Sequence, residues 1–257
     1  MMGNSANARR FATGNSVTAK SAREEILGEI KRALHRERNS VPVRGEAVAS
    51  ASSQLEDVVS GIRKNCEHRR GELIEGFESE VTRIGGRFHR AADAESAFQY
   101  IEQVASVREA RTIVAWEGQI LDGIDVPRRL GEKGIQLLTE TTEAELVRKS
   151  AVADLGVSRV DYALSDTGTL VLLARNGQAR SISLLPPVHI AVVKPDQMLS
   201  GLSDLFPLLR HAAKVEGRDL SSAITFITGP SRTADIELTL VVGVHGPQQL
   251  HVVLLDC

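Results

Sequence analysis

The sequence predicts an α/β fold in which a mostly parallel sheet is flanked by helices and carries an antiparallel hairpin insertion. Between residues 87 and 155, short apolar runs alternate with stretches of helical periodicity, a pattern typical of parallel sheets covered by helices. Between Asp161 and Val193, three apolar runs follow one another without a helical pattern. Asn176-Gly177 lies between two of these runs. This dipeptide is a hairpin signal, so we expect an antiparallel meander there.

The N-terminal segment is predicted to lie outside the α/β domain. Residues 1–20 contain basic but no acidic residues, a composition that organelle transit peptides share with disordered tails. Their many Asn, Ser, Gly and Thr residues favour a disordered tail. Residues 21–53 are predicted to form a helix over 21–36, opened by an S-x-x-E capping box, and a Ser- and Ala-rich linker over 39–53. The α/β domain then occupies residues 54–257.

Within the domain, each expected element has an apolar pattern of its own. Apolar positions from 55 to 81 recur at helical spacing, and the pattern ends at Gly85-Gly86. The elements expected next are a strand over 87–89, a helix over 92–107, a strand over 112–116, a helix over 126–133, a strand over 135–138 and a helix over 142–155. After the insertion we expect a helix over 197–213, a strand over 223–228, a short helix and a last strand over 250–255.

Composition and charge exclude several classes of function. With 31 basic and 33 acidic residues, the formal net charge is -2, so no overall field draws the chain to nucleic acid or to an anionic membrane. The two cysteines, Cys66 and Cys257, are too few and too far apart for an iron–sulfur cluster, a structural zinc site or a disulfide framework held by this chain alone. No apolar run reaches the roughly 18–20 residues of a transmembrane segment, and no secretory signal is recognised. We therefore expect a cytoplasmic protein.

The polar segment that follows the strand over 223–228 is the first candidate site. Gly229-Pro230 ends the apolar run, and we expect a helix to begin near Ser231. The free amide groups of such a helix start, its dipole and the Arg232 guanidinium would together favour a carboxylate, a phosphate or a pyrophosphate. The alternative is that Ser231 only caps the helix, that Arg232 pairs with Asp235 or Glu237, and that nothing binds.

A second polar break interrupts the apolar runs of the insertion. Asp166 and Thr167 come directly before Gly168. They predict either a turn or bulge, or a carboxylate and a hydroxyl that meet the polar segment after Gly229-Pro230, called the Arg232 loop below. His189 follows two prolines and is a lone histidine, a residue that is usually structural. The sequence contains no metal-binding histidine spacing, nucleophile elbow, Walker loop, dinucleotide fingerprint or C-x-x-C. Hydrolase, ATPase and classical dehydrogenase activities are therefore disfavoured, and no catalytic base is identified.

Four segments carry a resemblance to a known family. In order they are DTGTLVLL, SLLPPVHIAVV, ITGPSRTADIE and GVHGP, and they resemble the lactate-utilisation protein C family, whose members are also called LUD-domain proteins. The resemblance is dense over Asp161 to Asp256. It implies a fold similar to that of the sugar-phosphate isomerase and coenzyme A transferase group.

The same resemblance implies a role in the breakdown of L-lactate to pyruvate, beside two partner proteins that carry iron–sulfur clusters. This chain is then expected to bind no cofactor itself and to contribute a pocket for a small carboxylate or phosphate. Whether it is itself catalytic stays open. The alternatives are a free-standing enzyme that acts on a coenzyme A thioester or a sugar phosphate, and a ligand-sensing module.

With the family in view, we expect the Arg232 loop to bind a ligand, because it follows the carboxyl end of a sheet strand, where open α/β sheets bind their ligands. The residues expected to hold the carboxylate or phosphate are Ser231, Arg232 and Thr233, with Asp235 orienting Arg232 and with Asp166, Thr167, Gly168, Thr169 and His189 completing the pocket.

Overall fold

Six parallel strands form the main sheet, in a computed structural model that describes residues 26–28, 45–116, 126–138, 142–175, 178–215, 217, 221, 223–234 and 240–256. The strands are β1 (Arg87–Ala91), β2 (Thr112–Ala115), β3 (Gln136–Leu138), β4 (Leu155–Arg159), β7 (Val188–Val193) and β12 (Gln249–Leu255). They lie in the order β1-β12-β7-β4-β2-β3. Every neighbouring pair is parallel.

The central strands of the main sheet consist of continuous apolar runs, which fits their burial on both faces. All six residues of β7 are buried, as are six of the seven residues of β12. A strand covered on both faces needs such a run, since neither face can carry polar residues to the solvent. Successive side chains point to opposite faces. Ile190 and Val192 therefore pack into one core, whereas Ala191 and Val193 pack into another on the opposite face.

Helices cover both faces of the main sheet. The described helices are α1 (Gly45–His68), α2 (Arg70–Arg83), α3 (Ala94–Val107), α4 (Val126–Glu132), α5 (Glu143–Ser150), α6 (Ser181–Leu184) and α7 (Leu202–Val215). Helix α3 begins at a capping box in which the Asp93 carboxylate accepts from the Ser96 amide at 2.7 Å. Its buried face packs with α4 in the first core, whereas α2 contributes Phe77 and Val81 to the second core.

A smaller mixed sheet contains the insertion. Its strands are β5 (Tyr162–Leu164), β6 (Thr169–Leu173), β8 (Met198–Leu199) and β9 (Ile224–Ile227), in the order β8-β5-β6-β9. Strands β5 and β6 pair antiparallel across a turn at 165–168, and β9 continues the sheet antiparallel to β6. A separate hairpin pairs β10 (Arg232–Ala234) with β11 (Leu240–Val242). The α/β class with an antiparallel hairpin insertion is confirmed.

The insertion differs in detail from the expected meander. The third apolar run is β7 of the main sheet, and α6 lies between it and β6. The run therefore pairs parallel to β4 and β12 instead of antiparallel to β6. The Asn176-Gly177 signal lies outside the described residues. Local sequence could not separate these outcomes, because an apolar run suits either sheet.

Three expected boundaries were also wrong. The linker prediction fails from residue 45 onward, because α1 begins at Gly45. The helix expected over 142–155 ends at Ser150, and the strand β4 begins at Leu155. The helix expected from residue 197 begins at Leu202, after a 3₁₀ turn over Pro195–Gln197 and the short strand β8.

Residues 1–52 and 53–257 are two separate units. Within the first unit, residues 26–28 and 45–52 are described, and they are helical. Across the described parts of both units, no helix combines the length and the apolar character that crossing a bilayer requires.

Gly168 fixes the turn of the insertion against α2. It has a φ of +64°, and a Cβ there would lie 2.8 Å from the Val81 nitrogen and 2.9 Å from the Glu80 carbonyl carbon. Both opposing atoms belong to helix backbone, which cannot move aside as a flexible side chain can. Glycine is thus needed at residue 168 for its conformation and for its size.

We predict that Gly168→Ala lowers the free energy of unfolding by more than Gly134→Ala. Gly134 has a φ of +75°, but a Cβ added there would have no atom within 4 Å, so its replacement should cost about 1 kcal/mol for the left-handed conformation alone. The backbone clash at Gly168 should add roughly 1–3 kcal/mol. Urea denaturation of both variants measures the difference. Equal losses would contradict a close contact between the turn and α2.

Candidate functional site

The Arg232 loop lies at the amino-terminal edge of the main sheet. The Ser231 amide donates to the carbonyl of Pro247, just before β12, at 2.8 Å. The Gln248 amide donates in turn to the carbonyl of Pro187, just before β7, also at 2.8 Å. The strand that precedes the loop, β9, belongs to the smaller sheet. The expectation of a site at the carboxyl edge of a parallel sheet is therefore wrong for this loop.

The helix expected near Ser231 is also wrong. Arg232 to Ala234 form the strand β10, and its residues pair with Val242, Val241 and Leu240 of β11. The Ser231 amide is already bonded to Pro247, so it is not one of the free amide groups that a helix start would present. Polar residues after Gly-Pro suit a turn before a strand as well as a helix cap. Asp235 and the side chain of Thr233 lie outside what the structure describes.

The Arg232 guanidinium reaches the end of α2. Its Nη2 donates to the carbonyl of Ile84, the residue that ends this helix, at 2.6 Å. The guanidinium lies over Gly85, where any Cβ would collide with it. Carbonyl groups at a helix end are the negative pole of its dipole and favour a cation. The residue is exposed, and within the described ranges its guanidinium pairs with no carboxylate.

A chain of hydroxyl groups connects the insertion turn to β9. The Thr167 hydroxyl donates to the Asp166 carboxylate at 3.1 Å, and the buried Thr169 hydroxyl lies 2.8 Å from that of Thr167. Thr169 also lies 2.8 Å from the hydroxyl of Thr228. Sequence reasoning missed Thr228, although it is the last residue of the β-branched run before Gly229.

Both polar segments meet at the last turn of α2 and the residues that follow it. Gly168 contacts the backbone at Glu80 and Val81. Gly229, next to Thr228, packs on Ile84, whose carbonyl accepts from Arg232. Gly168 and Arg232 thus contact the same end of α2, and the hydroxyl chain connects Thr167 and Thr169 to Thr228, three residues before Ser231.

His189 occupies a different environment, inside the main sheet. It is fully buried in β7, and its Nε2 lies 2.8 Å from the hydroxyl of Ser158 on the neighbouring strand. Its buried Nδ1 has no hydrogen-bond partner in the described part of the chain. Burial, with a smaller contribution from His251, lowers the pKa of His189 to about 3. No contact among the described residues links this histidine to Arg232 or to the insertion turn.

A second histidine cluster lies on the opposite face of the sheet. The Tyr100 hydroxyl is 2.9 Å from Nδ1 of His251, and the His89 ring stacks on Tyr100 with centroids 4.0 Å apart. Burial, followed by the charges of Arg87 and Arg108, lowers the pKa of His251 to about 4. Sequence reasoning missed this cluster, which brings together residues from β1, α3 and β12.

A cavity of about 480 Å³ lies at the carboxyl edge of the main sheet. It is lined by Arg63, Cys66, Glu67, Arg70, Asp161, Tyr162, Pro195, Asp196, Gln197, Met198, Leu199 and Leu208. Asp161 follows the end of β4, and Pro195 follows the end of β7. Sequence reasoning did not identify this cavity, because its residues come from segments that are distant along the chain. In the described parts of the chain, no group of three or more His, Cys, Asp or Glu residues could hold a metal ion.

Comparisons with known proteins point to one family. A family model described as the LUD domain matches residues 74–255. Lactate utilization protein C of Halalkalibacterium halodurans is 34% identical over 181 residues, covering 70% of this chain and 78% of that protein. The protein of the same name from Anoxybacillus flavithermus is 28% identical over 190 residues, covering 74% of this chain and 83% of that protein.

A solved structure shares the fold. The crystal structure of a DUF162 family protein from Deinococcus radiodurans aligns with a TM-score of 0.50 and 23% identity. The alignment covers 72% of this chain and 98% of that chain. It supports the α/β architecture described above.

The two buried histidines predict acid sensitivity. In the unfolded chain both take up a proton near pH 6.5, whereas in the folded chain His251 stays neutral to about pH 4 and His189 to about pH 3. The unfolded state therefore binds more protons in this range, so stability is full above about pH 6.5 and is lost as the pH falls. Each histidine contributes up to about 1.4 kcal/mol per pH unit.

Urea denaturation at several pH values tests this prediction. His251→Gln should reduce the dependence of the unfolding free energy on pH. His245→Gln, which changes an exposed residue, is the matched control and should leave the dependence unchanged. A wild-type stability that does not fall between about pH 6.5 and pH 4 would contradict the assignment.

Proposed function

We propose that this chain, which belongs to the LUD domain family, takes part in the utilisation of L-lactate and holds a small anion at the end of α2. The observation that carries the role is the match of residues 74–255 to the family model. The relatives named lactate utilization protein C, which align with most of this chain, support it. In this proposal the pathway converts L-lactate to pyruvate.

The electron carriers of the reaction are proposed to belong to two iron–sulfur partner proteins. A cubane or two-iron cluster takes about four cysteine ligands, and this sequence has two cysteines. The Cys66 sulfur lies 3.9 Å from the Asp204 carboxylate, and its thiol donates to it. Oxidation of lactate needs an electron acceptor, so a chain of this composition is best suited to a supporting role beside proteins that carry the clusters.

The proposed anion site is built on Arg232. A guanidinium has five N–H donors in a planar fork that fits a carboxylate, and one of its nitrogens is bonded to the carbonyl of Ile84. The exposed Thr167 and Thr228 belong to the adjoining hydroxyl chain, and their hydroxyl oxygens keep lone pairs that accept from the hydroxyl of a ligand. Lactate offers a carboxylate and a hydroxyl, which match a guanidinium and threonine hydroxyl groups.

The remaining candidate residues have unequal parts in this proposal. Gly168 and Thr169 shape the turn, and Ser231 positions Arg232 through its bond to Pro247. Thr233 and Asp235 keep their expected roles as ligand contact and orienting carboxylate. His189 is proposed to act at a distance from Arg232, as a buried partner of Ser158.

We predict that Arg232→Ala impairs growth on L-lactate in a host that depends on this protein. Loss of the guanidinium removes the charge that the carboxylate would meet, and Arg232→Lys should restore growth only in part because an ammonium lacks the fork. The lost bond to Ile84 should cost about 1 kcal/mol of stability. Measured urea midpoints and protein levels separate this loss from a loss of function.

Arg83→Ala is the matched control. Arg83 is also an exposed arginine at the end of α2, but its guanidinium pairs with Glu80 at 2.5 Å within the same helix. This variant should grow on L-lactate as the wild type does. Normal growth of Arg232→Ala at normal protein levels would refute the anion site.

Purification of the tagged chain from cells grown on L-lactate tests the proposed partners. Co-elution with two proteins that show the absorbance of iron–sulfur clusters is the expected result. A solitary chain that acts on a coenzyme A thioester or a sugar phosphate would instead favour a free-standing enzyme. A solitary chain that binds a ligand without turnover would favour a sensing module.

A further inference from the structure

The cavity at the carboxyl edge of the main sheet has the position and size of a ligand site. Asp161 and Pro195, each two residues after the end of β4 or β7, line it, and ligands of open α/β sheets bind outside the carboxyl ends of the strands. Its volume of about 480 Å³ falls within the range of roughly 300–1,000 Å³ for small-molecule sites. It lies at the opposite edge from Arg232 and shares no residue with the proposed anion site.

Two arginines line the cavity. Arg63 lies in the last turns of α1, and Arg70 is the first residue of α2. Over the part of the chain that is described, Arg63 has no ion-pair partner. Arg70 approaches Glu67 only to 3.9 Å, beyond hydrogen-bond distance. Both guanidinium groups therefore retain donors for a ligand.

The acidic residues of the lining limit the charge of that ligand. Asp161 accepts from the amide of Leu173 at 2.7 Å and pairs with Arg175, so its charge is already compensated. Glu67 and Asp196 remain on the exposed rim and balance the two arginines. A doubly charged phosphate would meet these carboxylates unfavourably. A carboxylate carries one negative charge, which one of the two arginines is enough to neutralise.

The floor of the cavity is apolar. Met198, Leu199 and Leu208 are 1%, 4% and 6% exposed, and Tyr162 and the Cys66 side chain complete the lining beside them. A hydrocarbon chain placed against these three side chains would lose contact with water there.

We propose that this cavity binds a small organic monocarboxylate that has a hydrocarbon chain. The carboxylate meets Arg63 and Arg70, and the hydrocarbon chain lies on Met198, Leu199 and Leu208. Both arginines precede residue 74, where the match to the LUD domain begins. The site therefore combines the matched domain with residues that precede it in this chain.

Alkylation of Cys66 reports directly on occupancy of the cavity. Cys66 and Cys257 are the two cysteines of the chain, so Cys257→Ser leaves one thiol to react with iodoacetamide. Burial, and then the charge of Asp204, raise the pKa of the Cys66 thiol, so the rate is measured at alkaline pH. Hexanoate at ten times its dissociation constant should slow alkylation about tenfold, because about one site in eleven stays empty.

An uncharged ligand and variants that lack an arginine charge test whether the arginines bind the carboxylate. Hexanamide has the same hydrocarbon chain without the charge and should protect Cys66 much less than hexanoate does. Arg63→Gln and Arg70→Gln should each weaken protection by hexanoate. Arg69→Gln should not, because the Arg69 guanidinium is bonded to Glu72 at 2.6 and 2.9 Å and does not line the cavity.

The outcomes separate this site from the proposed anion site. Arg232→Ala should leave protection of Cys66 by hexanoate unchanged, whatever its effect on growth. Equal protection by hexanoate and hexanamide, or protection that survives both Arg63→Gln and Arg70→Gln, would overturn the assignment of the carboxylate to these arginines. An unchanged alkylation rate with hexanoate up to millimolar concentration would overturn the site itself.

Discussion

Burial of the central strands on both faces is the constraint on which the rest of the structure depends. Strands β12, β7 and β4 are neighbours in the main sheet, and almost all of their residues are buried. A buried polar group in such a strand must find its partner inside the protein. His189 does so at Nε2, which lies beside the Ser158 hydroxyl, whereas its Nδ1 has no partner among the described residues. The loops can then present polar side chains only at the two edges of the sheet, and each of the two candidate sites lies at one of these edges.

The end of α2 organises the amino-terminal edge. Three glycines allow other segments to approach it closely: Gly168 from the insertion turn, Gly229 from the loop after β9, and Gly85 beneath the Arg232 guanidinium. A Cβ at residue 168 would clash with the helix backbone, whereas at residues 85 and 229 the Arg232 guanidinium and Ile84 would have to shift. A carbonyl-rich helix end also provides the negative potential that holds a guanidinium in place. Backbone contacts at this helix end, more than side-chain pairs, bring the two polar segments together.

The sequence predicts the elements well where local pattern and final burial agree. The run over 188–193 is apolar throughout and forms a strand buried on both faces, and Gly168 does mark a turn between two strands. Prediction of an element from the sequence fails where pairing with a distant strand determines its structure. Residues after Gly229-Pro230 carry signals that suit a helix start and a turn equally, and pairing with β11 selects the strand. The sheet that β9 joins is selected in the same way by β6, and that choice determines the edge at which Arg232 lies. The carboxyl-edge cavity could not be predicted, since its lining spans Arg63 to Leu208.

The place of β12 in the main sheet has a consequence for synthesis of the protein. This strand comes after every other described strand along the chain, yet it lies between β1 and β7. While the ribosome is still translating, β1 and β7 therefore lack the neighbour that joins them, and their unpaired edges can associate with other chains. Native closure of the sheet has to wait until residues 249–255 have left the exit tunnel.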